Sequence, residues 1–270
     1  MRLATWNVNS LNARLPRVLE WLEANGPDVL CMQETKLADA AFPATAFAEL
    51  GYESVHHGDG RWNGVAIASR VGAEAPAFGF ESEEDAHGCR ILAATCGGAR
   101  VHSVYVPNGR SLDSEHYLFK LAWLARLRRY LEERCDPAAP VAVCGDFNVA
   151  PCDVDVWDPA AFAGATHVSE PERAALRALL DWGLEDVFRR FHPEGGVFSW
   201  WDYRAGDFHQ GRGMRIDLVL LSAPLAARAT DARIDRDARK GKKPSDHAPV
   251  VVELSEEGPN RSGPVEQPRA

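Results

Sequence analysis

Apolar and β-branched residues gather in eight short runs along the chain, near residues 2–8, 28–33, 64–69, 90–96, 100–106, 141–145, 216–221 and 249–254. Runs of this length, rich in Val, Ile, Leu and Thr and bounded by polar or turn-forming residues, predict β-strands. Two other stretches repeat at the helical period. Leu11, Leu15, Val18, Leu19 and Leu22 recur on one helical face, and Leu121, Leu124, Leu127 and Leu131 on another. A sheet-dominated core covered by helices follows. The two runs that meet at Gly97 and Gly98 are too close together for a helical crossover, so they predict an antiparallel hairpin rather than a purely parallel sheet.

With 270 residues, 46% of them hydrophobic, the chain can bury a large core, and one domain over residues 1–254 is expected. From Ser255 to Ala270 the composition turns to Pro, Gly, Ser and charge, so this tail is expected to be disordered. No stretch approaches the ~20 apolar residues of a membrane span. Met1 to Asn9 also lacks the layout of a signal peptide, and a soluble, cytoplasmic protein is expected. The six cysteines form no C-x-x-C pair, and Cys31 and Cys144 lie inside strand-like runs, where small buried thiols are usual.

A net charge of −9 disfavours indiscriminate binding to polyanions. Local sign differs. Arg233, Arg236, Arg239, Lys240, Lys242 and Lys243, against Asp235 and Asp237, lead directly into Ser245, Asp246 and His247. That run reads either as a solvated loop or as a surface for phosphates. Neither G-x-G-x-x-G nor G-x-x-x-x-G-K-[ST] occurs, which removes the common nucleotide-cofactor readings.

The chemistry-bearing residues sit where the strand runs end. Glu34 follows Val29, Leu30, Cys31 and Met32, which places a carboxylate at a sheet edge, where cations with oxygen ligands bind. Asn7 ends the first run and reads alternatively as the cap of the helix starting near Leu11. Asp146 and Asn148 are two apart after a buried strand, as a base and its positioning amide would be, although a β-turn explains Gly145, Asp146 and Asn148 nearly as well. Asp217 lies inside an apolar run where an unpaired carboxylate would be costly, and protonated His247 is its natural partner. Tyr105, Asn108 and Arg110 follow another strand and suit phosphate contact. Trp200, Trp201, Tyr203 and Phe208 precede Arg212, Met214 and Arg215, a mixture that serves a stacking surface or a core.

Taken together, TWNVNSLNAR at 5–14, PDVLCMQETKL at 27–37, YVPNG at 105–109, CGDFNVAP at 144–151, FSWWDYR with RGMRID at 198–217, and SDHAPV at 245–250 resemble the exonuclease III family of abasic-site endonucleases. That family lies within the endonuclease/exonuclease/phosphatase superfamily. Asn9, where eukaryotic relatives tend to carry Asp, points to the bacterial branch. The resemblance implies an α/β (α+β) fold, a four-layer α/β/β/α sandwich of two mixed β-sheets flanked by helices.

It also implies site roles. Glu34 is the principal Mg²⁺ ligand by this likeness, with Asn7 nearby and Asp246 available to the metal or its water shell. Asp146 activates water, Asn148 positions it, Asp217 orients His247, His247 donates to the phosphate, and Tyr105 stands beside that phosphate. Asp146, Asn148 and His247 are candidates for a second ion or an alternative ion position, and Mn²⁺ is a possible substitute. Asn108, Arg110, Trp200, Arg212, Met214 and Lys242 are the expected DNA contacts, with Trp200, Met214 and Ile216 around an extruded sugar. The implied activity is cleavage 5′ to abasic sites in duplex DNA and removal of nucleotides or blocking groups from 3′ ends, by a monomer that acts on no membrane. A lipid-directed phosphatase of the same superfamily and a noncatalytic binding protein are the alternatives.

Overall fold

The computed structural model describes residues 1–80 and 88–256, so all but the first two residues of the expected disordered tail lie outside the described residues. In chain order the elements are β1 (Arg2–Asn7), α1 (Leu11–Asn25), β2 (Val29–Gln33), α2 (Ala44–Glu49), β3 (Glu53–His57), β4 (Val65–Ser69), β5 (Glu74–Phe78), β6 (Ile91–Cys96), β7 (Ala99–Tyr105), α3 (Glu115–Arg134), β8 (Val141–Asp146), α4 (Glu170–Asp181), β9 (Leu184–Asp186), α5 (Val187–Phe191), β10 (Asp217–Ser222), β11 (Ala229–Ile234) and β12 (Val250–Leu254). They build two six-stranded sheets, ordered β11-β12-β1-β2-β4-β3 and β5-β6-β7-β8-β10-β9. Each is mixed. β1 with β2 and β7 with β8 run parallel, and the hairpin at Gly97 and Gly98 joins β6 to β7 antiparallel.

Period-two alternation divides each central strand between two apolar layers. Leu3, Val29, Cys31 and Ile67 of one sheet meet Leu92, Val101, Cys144 and Val219 of the other in the core between the sheets. Ala4, Trp6, Leu30 and Met32 face outward, onto Val18, Trp21 and Leu22 of α1. Val104, Val143, Leu218 and Leu220 face the other way, onto Trp123, Leu124 and Leu127 of α3 and Leu176 and Leu179 of α4. Four layers result, helix on sheet on sheet on helix. Because both faces of the central strands are buried, their sequences read as nearly continuous apolar runs.

Local chemistry sets the helix ends. Gly26 closes α1 in the left-handed conformation (φ 53) with its N–H on Leu22 O. Ser114 Oγ accepts from Tyr117 N at the start of α3, and Ser169 with Glu172 forms a capping box on α4.

Candidate active site

The side chains pointing between the sheets change character along each strand. Leu3, Thr5 and Asn7 succeed one another on β1; Val29, Cys31 and Gln33 on β2; Val101, Ser103 and Tyr105 on β7; Ala142, Cys144 and Asp146 on β8. β10 runs the opposite way, and so begins with Asp217 before Val219 and Leu221. All the polar ends lie at one edge of the sandwich. The intermediate layer is already polar, with Gln33 Nε2 donating to Thr5 Oγ1 (3.0 Å) and Ser103 Oγ (3.1 Å). Gly145 lets β8 lie flush on β7, since a Cβ there would sit 1.9 Å from Val104 O. Tyr105 and Asp146 are then register neighbours.

Asn7 Nδ2 donates both to Glu34 Oε1 (2.8 Å) and to Asp146 Oδ2 (3.0 Å), so one amide holds two carboxylates from different sheets. Its Oδ1 accepts the Asn9 N–H, and the first N–H of α1, on Leu11, goes to Thr35 O. The capping alternative for Asn7 is therefore not the one realised. Asp146 Oδ1 accepts from Asn148 N (2.8 Å), and Asn148 Nδ2 reaches Val106 O (2.9 Å) and Asp146 Oδ2 (3.3 Å). Asn148 is left-handed (φ 50), so the turn reading of this segment is the one realised, and it brings the amide to the carboxylate.

His247 Nδ1 donates to Asp217 Oδ2 (2.8 Å), and its Nε2 lies 3.8 Å from Asp146 Oδ2. Burial alone would strip the imidazole of its proton, but the Asp217 and Asp146 carboxylates outweigh it and raise the pKa to about 10. Burial also raises Asp146, to about 7, against the lowering effect of His247 and of the Asn7 and Asn148 hydrogen bonds. Tyr105 is pushed well above the usual phenol range, first by burial and then by the Glu34 and Asp146 charges, so it is a neutral donor.

Glu34, Asp146 and His247 each offer a ligand atom within 4.8 Å of the others. Since His247 is held as an imidazolium, the oxygens of Glu34 and Asp146 are the donors suited to a hard divalent cation. Lys36 Nζ occupies Glu34 Oε2 (2.9 Å) and also reaches Asn9 Oδ1 (2.6 Å). Asp246 stands one shell outward, accepting from Asn9 Nδ2 (3.0 Å) and Trp200 Nε1 (3.2 Å).

The other candidates divide. Asn108 Nδ2 donates to Asn148 Oδ1 (3.1 Å), and exposed Arg110 follows it. A groove of ≈ 790 Å³ opens outward from Glu34 and Tyr105 past these two residues. Trp200 is half-buried over Asp246, whereas its neighbour Trp201 is core. Met214 and Ile216 pack with Ala150 and Val156 in a small buried cluster at 1% and 2% exposure, with Trp200 against it, so the three residues expected around an extruded sugar do meet. Arg212 lies over the Trp157 ring, and Lys242 is exposed. Most of the basic run before Ser245 is engaged within the fold: Arg233 with Glu253, Arg236 over Phe208, buried Arg239 on Ser245 O, and Lys240 with Asp237.

Several contributors were not singled out from the sequence, although Ser199 lies within the FSWWDYR motif. Ser199 Oγ donates to Asp217 Oδ2 (2.6 Å) and accepts from the Ile216 and Asp217 N–H groups, fixing the dyad from behind. Lys120, fully buried, pairs with Glu172 and donates to Asn148 O (2.6 Å). His167 Nδ1 donates to the same carbonyl, with a positive φ of 76. Positive φ also occurs at Asn9, Glu34, Lys36 and Arg110, so backbone strain gathers around this one edge.

The family described as Endonuclease/Exonuclease/phosphatase matches residues 4–247. The chain belongs to that family. Exodeoxyribonuclease III of Haemophilus influenzae is 36% identical over 269 residues, covering 94% of this chain and 100% of that protein. Among solved structures, an AP endonuclease from Archaeoglobus fulgidus superposes with a TM-score of 0.91 at 41% identity, covering 94% of this chain and 99% of that one. A 3′ phosphatase from Neisseria, bound to a product DNA hairpin, does so with a TM-score of 0.90 at 41% identity and the same coverage. Membership in the Endonuclease/Exonuclease/phosphatase family explains why six widely separated motifs have one meeting place. Among the described residues no helix is long and apolar enough to cross a membrane.

Proposed function

We propose that this chain is an exodeoxyribonuclease III-like DNA repair hydrolase, dependent on Mg²⁺ or Mn²⁺, that cuts the phosphodiester 5′ to abasic sites in duplex DNA and clears nucleotides or blocking groups from 3′ ends. It acts in the cytoplasm as a monomer, with residues 1–254 as the working unit. One observation carries the reading: Asn7 ties Glu34 to Asp146 while Asp146 faces a His247 held by Asp217.

Glu34 would hold the divalent cation, which would supply positive charge to the phosphate oxygens. Asp146, buried and held by the Asn7 side-chain amide and the Asn148 N–H, accepts the proton of the attacking water. Asn148 fixes Asp146 by backbone and side chain. The His247 imidazolium and the Tyr105 phenol donate to phosphate oxygens as charge builds there. Asp217 and Ser199 keep the imidazole oriented. A missing base removes stacking and lowers the cost of extruding the sugar, which favours abasic sites over intact DNA.

An end-labelled duplex with a single abasic analogue, incubated with Mg²⁺, with Mn²⁺ and with chelator, tests this. A cut 5′ to the lesion with either ion and none with chelator is expected. Identical products in the presence of chelator would refute cation-dependent hydrolysis. Release of phosphate from lipid head groups, with no cutting of DNA, would move the substrate to the lipid class.

A further inference from the structure

Trp62 has no place in the catalytic cluster or in the motifs that point to it. Its side chain is 80% exposed, while Trp6, Trp123 and Trp201 are buried. An exposed indole beside a working cleft is free to stack on a flat group that enters it. It lines the groove whose inner end is Glu34 and Tyr105.

The groove has its own sign. Lys36, Arg61, Arg90 and Arg110 line it with the imidazole of His116, against Glu34, Asp59 and Glu115, and Lys36 already neutralises Glu34. Four cations against three anions give the aromatic trough at the catalytic edge a slight positive excess, in a chain with net charge −9. Arg90 lies at the inner end, with its guanidinium 4.6 Å from the centroid of the Tyr105 ring. Cations that can follow a phosphate backbone, with an aromatic face offered between them, are the elements of a single-strand binding surface.

We propose that Trp62 is a stacking platform for an unpaired base of the DNA strand whose phosphate lies at Glu34 and Tyr105, with Arg61 and Arg110 along that strand's backbone. Inside a duplex both faces of every base are covered by neighbours, so only an overhang, a frayed end or a displaced nucleotide has a face to offer the indole. The volume of ≈ 790 Å³ falls within the range of sites that enclose small organic groups. This inference rests on the nuclease reading above and extends it: strands with unpaired bases next to the reacting phosphate are bound better than fully paired ones.

The test measures fluorescence anisotropy in an Asp146→Asn background, which prevents turnover. It uses three labelled probes: a blunt duplex, the same duplex with a short 3′ overhang, and that overhang built from abasic residues. Trp62→Ala is expected to weaken binding of the normal overhang about 5- to 100-fold, with Trp62→Phe falling between parent and Ala. Affinity for the blunt duplex and for the base-less overhang should stay within about twofold, because neither carries an unpaired base in the strand beside the reacting phosphate. The proposal is overturned if Trp62→Ala leaves the normal overhang unaffected, or if it weakens the base-less overhang equally. If the unmutated enzyme cuts no DNA probe with Mg²⁺, the nuclease reading itself has failed. If it cuts while Trp62→Ala binds like its parent, only the stacking platform has failed.

Discussion

The two flanks of the catalytic edge are built on opposite principles. On one side Asp146, Asp217 and His247 are buried at no more than 4% exposure, and the protein itself supplies their partners. On the other, Glu34 and Tyr105 open onto a wide groove rimmed by Arg110 and Trp62, both exposed. Low dielectric on the first side amplifies every charge, which is how an imidazole can stay protonated and a carboxyl can rise toward neutrality a few ångströms apart. Solvation on the second side keeps Arg and Trp available to a long, charged substrate. Protonation state is fixed where water is excluded, and substrate is admitted where water is kept.

Breaking the buried flank should produce the largest effects. Asp146→Asn is expected to lower the cleavage rate on an abasic duplex roughly 10²- to 10⁴-fold, the range for loss of a positioned base, and His247→Ala by a comparable factor. Near-native turnover in steady-state assays of either variant would remove that role. Next in size is the buried support beneath Asn148. Lys120→Met leaves Glu172 as an uncompensated buried carboxylate and should cost about 3–5 kcal/mol in denaturant unfolding. The double variant Lys120→Met/Glu172→Gln should recover part of that loss. An additive double variant would mean that the two charges do not act as a pair.

Titration of stability sharpens the contrast further, because the buried histidines differ in sign. Burial lowers His102 and His167 to about 4. Below the unfolded value of 6.5 the unfolded chain takes up protons that these folded rings refuse, so stability falls as pH drops from 6.5 toward 4. The slope is at most about 1.4 kcal/mol per pH unit for each ring. His102→Gln should remove one proton's worth of that slope in melting curves. His247 behaves oppositely, with a folded pKa raised to about 10. Its contribution is fully present below 6.5 and is lost as pH climbs through about 10, a loss that should vanish in His247→Gln. The smallest effect belongs to the open flank. Lys242→Ala should raise KM only a fewfold and reduce the salt slope of DNA binding by about one unit. An unchanged slope would mean that Lys242 meets no phosphate.

The sequence disclosed the interior of the sandwich better than its margins. The eight apolar runs became β1, β2, β4, β6, β7, β8, β10 and β12, while β3, β5, β9 and β11 went unread. Those four are the outermost strands of the two sheets. An edge strand has a solvated side and needs polar residues, as in Glu53, His56 and His57 of β3 or Thr230, Asp231 and Arg233 of β11, so it carries no apolar run. Glu34, Asp146, Asp217 and His247 were legible because a carboxylate or imidazole adjoining a buried strand breaks an otherwise apolar pattern. Ser199, although inside the FSWWDYR motif, and Lys120 had no role assigned, since a serine in a loop or a lysine on a helix is ordinary until its partner is placed. The turn at Asn148 was one of two readings left open, because spacing reports direction along a strand and not where the strand stops.

β1 lies between β2 and β12, with Arg2 opposite Glu253 and Thr5 opposite Val250. During synthesis the first strand therefore waits for nearly the whole chain before its second neighbour exists. Until then one long side of it offers unpaired N–H and C=O groups to any passing strand. That side of β1 thus stays open to mispairing until β12 is available, and a ribosome stalled short of Val250 should leave a product that associates rather than folds.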